Sequence, residues 1–217
     1  MDEAHFKAIA LRRVRASASR SRKPIVTAEY SLGSSGVRAD LAILGSFFTG
    51  IEIKTGRDSL RRLETQLAAY ERYFERTILI VAESHLRKLD NVALRGAELW
   101  SVSPLGKLEQ LSSSETRTIR PEAYIDLLTK AERERLPTSL ETADDLEGLL
   151  PAFRDAFARR YRSVSDAFWD GASGRRIRPD DLQRLSRFAD VRSEARRLEA
   201  AKAAKWANWM ATNGLAA

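Results

Sequence analysis

Apolar positions along this chain follow two different rhythms, and the change comes near Pro121. Upstream, short apolar runs of strand length are separated by turn residues: 37–44, 47–55, 77–82 and 98–102 each read as a strand of a buried sheet. Only Gly45-Ser46 separates the first two, which predicts an antiparallel hairpin. Residues 24–30 fit a strand or a short helix, closed by the turn Gly33-Ser-Ser-Gly36. Leu60, Leu63, Leu67, Tyr70 and Phe74 recur at steps of three and four, which predicts an amphipathic helix over 58–75 capped by Asp58 or Ser59. A further helix over 85–94 falls between two strands, implying a crossover and a parallel pair. Pro104 and Gly106 turn the chain into 107–111, a candidate edge strand, before a polar stretch at 112–118.

Downstream the strand rhythm is gone. Residues 124–135, 146–169, 180–189 and 191–209 all carry helical spacing, broken by Pro137-Thr-Ser and Gly171-Ala-Ser-Gly174. At the other end, residues 3–16 have a loose helical pattern through Phe6, Ile9 and Val14, followed by a Ser/Arg run to Lys23. The chain therefore divides into a basic arm or helix at 1–23, an α/β core at 24–120, and a basic helical region at 121–217.

Composition narrows the chemistry. With 43% hydrophobic and 31% charged residues the chain belongs with globular proteins, and no apolar run approaches the roughly 20 residues of a membrane helix. A cytoplasmic location is expected, with no membrane partner. There is no cysteine and only His5 and His85, so thiolate and histidine-rich metal sites are excluded and any metal must be held by oxygen. The net charge of +7 is uneven: basic flanks surround a mildly acidic centre. That distribution suits a polyanion gripped at the periphery while the centre gathers cations. Nucleic acid is the expected partner.

Charges inside the predicted strands are the main chemical signal. Asp40 interrupts the apolar run 39–44, and Glu52 and Lys54 interrupt 50–55. Ionisable groups leaving water are costly unless paired or bound to a cation. Strand alternation puts Glu52 and Lys54 on one side with the Ile53 carbonyl between them, so Asp40, Glu52 and that carbonyl supply a hard cation's oxygens. Lys54 then sits where an ammonium orients the attacking water and offsets charge on a phosphate. Gln66 and Tyr70 lie one helical turn apart on the following helix, where Gln66 can fix Lys54 or a metal-bound water.

The order Asp40, Glu52-Ile53-Lys54, Gln66, Tyr70 resembles the PD-(D/E)XK nuclease superfamily, in particular its RecB-like branch with a Gln-x-x-x-Tyr motif on the helix after Glu-x-Lys. The run from Ile51 to Leu63 also looks like small bacterial members of that superfamily. The resemblance covers about residues 25–103. It implies a restriction-endonuclease-like fold, a central mixed sheet flanked by helices, here with an all-helical C-terminal extension. It also implies Mg²⁺-dependent cleavage of nucleic acid, with Mn²⁺ as a substitute and DNA the favoured substrate. Ala39 stands where the superfamily usually has proline, and Glu29 is the natural candidate for the additional acid that often joins such sites. The alternative is a catalytically inactive module of the same fold that binds nucleic acid or a protein.

Cations around these residues extend the reading. Arg57, Arg61 and Arg62 follow the Glu-x-Lys strand and are candidates for phosphate contact, as are Arg175, Arg176 and Arg178 beside the Gly/Ser loop. Arg159-Arg160-Tyr161-Arg162 has the same composition. The helical region is also the candidate surface for a second copy of the chain or a protein partner, while Trp206, Trp209 and Met210 read as packing residues of a terminal helix. His5 and His85 have no ligand-spaced partner, and Asp90, Glu98 and Glu109 read as surface acids.

Overall fold

The structure is a computed structural model that describes residues 1–19, 23–113, 115–137 and 146–185. The expected helix at 191–209, with Trp206, Trp209 and Met210, lies outside the described residues, as does the end of the one at 180–189. The fold is α/β: a six-stranded mixed sheet flanked by helices, with a helical C-terminal region. No helix of the described residues is long and apolar enough to cross a membrane.

Helix α1 (Glu3–Ser17) is capped by Asp2, whose side chain accepts the His5 N–H at 3.0 Å. The sheet then runs through β1 (Ile25–Ser31), β2 (Arg38–Leu44), β3 (Phe48–Lys54), β4 (Arg76–Ala82), β5 (Glu98–Val102) and β6 (Leu108–Gln110) in spatial order 1 to 6. The undecided segment is thus strand β1, antiparallel to β2, and β2–β3 is the expected hairpin. Strands β3, β4 and β5 are mutually parallel, and β6 closes the edge antiparallel to β5. Helix α2 (Leu63–Tyr73) makes the β3–β4 crossover.

Four of the expected helices differ. The one at 124–135 is split into Pro121–Leu127 and Lys130–Arg133, with Thr129 capping the second, and the described part of 180–189 is a 3₁₀ turn. The other two lie in the α/β region. Helix α2 starts at Leu63, because Asp58 is used in the loop: its Oδ2 accepts the Thr55 N–H and the Thr55 hydroxyl, both at 2.7 Å. Arg57 and Arg61 therefore lie on an exposed loop, and Arg62 at the exposed N-cap position. The segment expected as a helix at 85–94 holds only a 3₁₀ stretch, Glu83–Lys88, whose Leu86, with the following Leu89, packs with Val81 and Leu63.

The sheet has a core on each face. On one, Phe48, Tyr70, Phe74, Tyr124, Phe153 and Phe157 pack together. On the other, α1 contributes Phe6, Ile9 and Leu11 against Leu41, Ile51, Ile53 and Trp100. The region after Pro121 supplies α3 (Pro121–Leu127), α4 (Lys130–Arg133) and α5 (Leu146–Gly171), then a 3₁₀ turn at Pro179–Leu185. Helix α5 belongs to both cores, Phe153 and Phe157 to the first and Phe168 and Trp169 to the second. It runs along the edge strand β1, where the Ser165 hydroxyl accepts the Val26 N–H at 3.0 Å and Trp169 Nε1 donates to the Pro24 carbonyl at 2.8 Å. An otherwise open sheet edge is thereby covered.

Candidate functional site

The expected acids meet where β2 and β3 part. Their ladder pairs Leu41 with Ile51 and goes no further, so Asp40 and Glu52 fall opposite each other just past its end. There the Asp40 carboxylate takes the place of a strand carbonyl: Oδ2 accepts the Ile53 N–H at 2.7 Å. In extended backbone the N–H and C=O of one residue point to the same side, so the Ile53 carbonyl faces this opening too. Beyond the hairpin β3 continues only against β4, which keeps Glu52, Ile53 and Lys54 extended.

Tyr70 closes the end of the ladder. Its buried hydroxyl donates to Glu52 Oε2 at 2.7 Å, with the Ile51 carbonyl a second acceptor at 3.1 Å, and it accepts the Asp40 N–H at 3.3 Å. The other Glu52 oxygen accepts from Lys54 Nζ at 2.7 Å. Glu52 is 1% exposed and Lys54 9%, so this ion pair is largely removed from water. Helix α2 comes this close because β3 carries Gly50, where a Cβ would lie 2.3 Å from the Phe74 ring. Gln66, one turn before Tyr70, has a buried Oε1 with no hydrogen-bond partner among the described residues, and no bond joins it to Lys54.

Glu29 lies in the same row. The β1–β2 ladder pairs Ala28 with Leu41 and Tyr30 with Ala39, skipping Glu29 opposite Asp40. Glu29 has φ +57, an unusual conformation for a side chain other than glycine, and it reverses the strand's alternation so that Tyr30 joins the opposite core from Ala28. Glu29 pairs with Lys7 and, at 2.7 Å, with Arg38. Lys7 also reaches Glu3 at 2.5 Å. Glu3, Glu29 and Asp40 each offer a carboxylate oxygen within 4.8 Å of the others.

The set of oxygens close enough together to hold a hard cation is that of Glu3, Glu29 and Asp40, while the Ile53 backbone meets the same Asp40 and Glu52 lies opposite it across the end of the ladder. The electrostatics fit such an ion. Burial, and then the charge of Glu52, push the Asp40 carboxyl up to about 8, and the Lys7 ammonium only partly opposes this. A divalent cation would remove that repulsion.

Sequence reasoning missed Glu3 and Lys7. Their spacing of four on α1 was visible, but Lys7 among apolar neighbours gave no sign that it faces the Asp40 end of the sheet. It also misread Glu98, which is 4% exposed rather than on the surface and bonds Trp100 Nε1 at 2.7 Å and Arg76 at 3.0 Å. His85 is buried with Nε2 2.7 Å from the Thr55 carbonyl, a structural contact, and His5 is exposed beside Asp2.

The distal arginines separate. Arg175 grips Asp181 through both carboxylate oxygens, at 2.8 and 2.6 Å, and the Gly171 carbonyl at 2.6 Å, so its fork holds the end of α5 to the following turn. Arg176 and Arg178 are exposed. Arg160 is drawn inward by Glu132 at 3.1 Å, whereas Arg159 and Arg162 remain on the surface.

The family model described as bacteriophage P4 protein cII matches residues 1–186, which takes in α1, the whole sheet and α5. The chain belongs to this family. Every residue of the carboxylate site, Glu3 included, falls inside the matched span of this cII-family protein. No curated protein matches it. Among solved structures, a protein of unknown function from Silicibacter pomeroyi is similar, with 18% identity over 52% of this chain and 75% of that one and a TM-score of 0.38. That is too distant to bear on function.

Proposed function

We propose that this protein is a Mg²⁺-dependent nuclease that hydrolyses phosphodiester bonds in DNA, on the pattern of the PD-(D/E)XK superfamily that its motif order resembles. The observation that carries the reading is the meeting of Asp40, Glu52, Lys54 and the Ile53 backbone at the point where β2 and β3 separate. Asp40, Glu52 and the Ile53 carbonyl would hold the cation, with Mn²⁺ as a substitute. When bound, such an ion supplies positive charge to the scissile phosphate and acidifies a coordinated water.

The chain's own residues do the rest. The Lys54 ammonium, anchored by Glu52, orients the attacking water and offsets negative charge growing on the phosphate. The Tyr70 hydroxyl fixes the Glu52 carboxylate and the Asp40 backbone. Gln66 Oε1 is an acceptor for a water at α2, and Lys7 limits the repulsion among Glu3, Glu29 and Asp40. Exposed Arg57, Arg61 and Arg62, on the segment after Lys54, take flanking phosphates, with Arg176 and Arg178 as more distant contacts.

The test is cleavage of single-stranded, duplex and branched DNA and of RNA with Mg²⁺ or Mn²⁺. Lys54→Ala is expected to lower the rate about 100-fold or more while leaving Mn²⁺ affinity within a few-fold. One observation favours a second reading, a module that binds nucleic acid or a protein without cutting: both Glu52 oxygens are already satisfied, by Lys54 and Tyr70. Calorimetric titration separates the two. A chain that takes up neither metal and leaves every substrate intact is the inactive module.

A further inference from the structure

One cleft shares no residue with the carboxylate site. Ile9, Arg12 and Arg13 of α1 and Trp100, Leu108 and Gln110 of β5–β6 line a cleft of about 360 Å³. We propose that this cleft binds a nucleotide unit, its phosphate on Arg12 and Arg13 and its base against Ile9, Trp100 and Leu108. The site goes beyond the cleavage reading and holds whether or not the acids cut.

Charge is the first argument. Arg12 is half-buried and gives its Nε to the Ala8 carbonyl at 3.0 Å, and among the described residues its terminal guanidinium nitrogens make no hydrogen bond or ion pair. Arg15 and Arg176 stand close enough to repel it, and among the described residues no acid forms an ion pair with any of Arg12, Arg13, Arg15 or Arg176. Burial followed by that repulsion holds Arg12 below the ordinary arginine range, a cost that an anion removes.

The opposite wall argues for a base beside the phosphate. Trp100 is fixed by its Nε1 bond to Glu98 at 2.7 Å, and with Ile9 and Leu108 it forms the apolar side of the cleft, where Trp100 and Ile9 are 5% and 7% exposed and offer a base their edges. Gln110 gives one N–H to the Ser112 carbonyl at 3.3 Å, leaving its amide oxygen to accept from a base edge. A bare phosphate would use only the arginine side, whereas the volume lies within the range of small-ligand sites and suits one nucleotide. That unit comes either free or as part of a single strand.

The experiment uses the full chain in EDTA, so cleavage plays no part. A fluorescein-labelled single-stranded deoxynucleotide oligomer is titrated by anisotropy, with dTMP and inorganic phosphate as competitors. Combined Arg12→Ala and Arg13→Ala is expected to weaken binding about tenfold or more. Gln110→Glu, an exposed change that puts a carboxylate in the cleft, should weaken it at an unchanged melting temperature. Competition by dTMP well beyond that of phosphate assigns a free nucleotide, and loss in the variants with the oligomer alone assigns a strand segment. Wild-type affinity in both variants, an equal loss in Arg159→Ala, or phosphate competing as well as dTMP overturns the proposal.

Discussion

The Tyr70 hydroxyl touches more of the candidate site than any sequence pattern would assign to an aromatic in an apolar stripe. It serves Glu52, the Asp40 N–H and the Ile51 carbonyl from a fully buried position. Tyr70→Phe keeps the ring packed on Phe74 and removes only those bonds, so thermal or urea unfolding should show a loss of about 1–3 kcal/mol with unchanged circular dichroism. Asp40 gives the pH counterpart. Its carboxyl is raised to about 8 when folded, against about 3.9 in an unfolded chain. Between those values the folded state holds more protons, so Asp40 makes metal-free stability fall as pH rises from about 4 to 8. Asp40→Asn removes that contribution, and unfolding midpoints across this range in EDTA should decline less steeply than in wild type. Asp181 runs the other way: Arg175 holds its carboxyl down to about 2, so its contribution is intact above about 4 and lost as pH falls through 2. Asp181→Asn should lose stability at neutral pH and approach wild type near pH 2.

At the scale of elements, close approach of helix to sheet makes the site possible. Gly50 lets Phe74 lie against β3, which brings Tyr70 within reach of Glu52. Gly50→Ala forces α2 outward, and the expected cost is about 1–3 kcal/mol, measured by denaturant unfolding together with weaker Mn²⁺ uptake. The strands and their hairpin were legible in the sequence because both sheet faces are buried, so β2, β3 and β4 read as largely apolar runs in which Asp40, Glu52 and Lys54 stand out. What escaped depends on side-chain contacts that the folded backbone selects, some between near neighbours and some between distant residues. The α2 start was misplaced because Asp58 has two possible uses, helix cap or loop acceptor, and its proximity to Thr55 decides between them. Glu98 looked like a surface acid because its partners, Arg76 and the Trp100 indole, are brought to it by the fold. Glu29 was recognisable as a candidate, but its backbone reversal, and hence its turn toward Lys7, follows from the break in the ladder with β2.

For the whole molecule, helix α5 changes the meaning of the C-terminal region. The sequence suggests an extension after a core ending near residue 120, yet Phe153 and Phe157 fill one face of the sheet and Phe168 and Trp169 the other. A helix that contributes four large buried aromatics and covers the edge of β1 is part of the core. Truncating even one such ring costs about 3–5 kcal/mol, comparable with much of a domain's net stability of about 5–15 kcal/mol. A chain cut after residue 145 should therefore lose cooperative thermal unfolding, bind a hydrophobic dye and fail to take up Mn²⁺, although every proposed metal ligand remains in it. A sharp melting transition in that fragment would instead mean that the sheet, α1 and α2 fold alone and that α5 only lies upon them. Phe157→Ala in the full chain supplies the graded version: a folded protein with a lower unfolding midpoint and Mn²⁺ affinity close to wild type, because Phe157 packs on Phe48 and Tyr30 and makes no bond to the carboxylates.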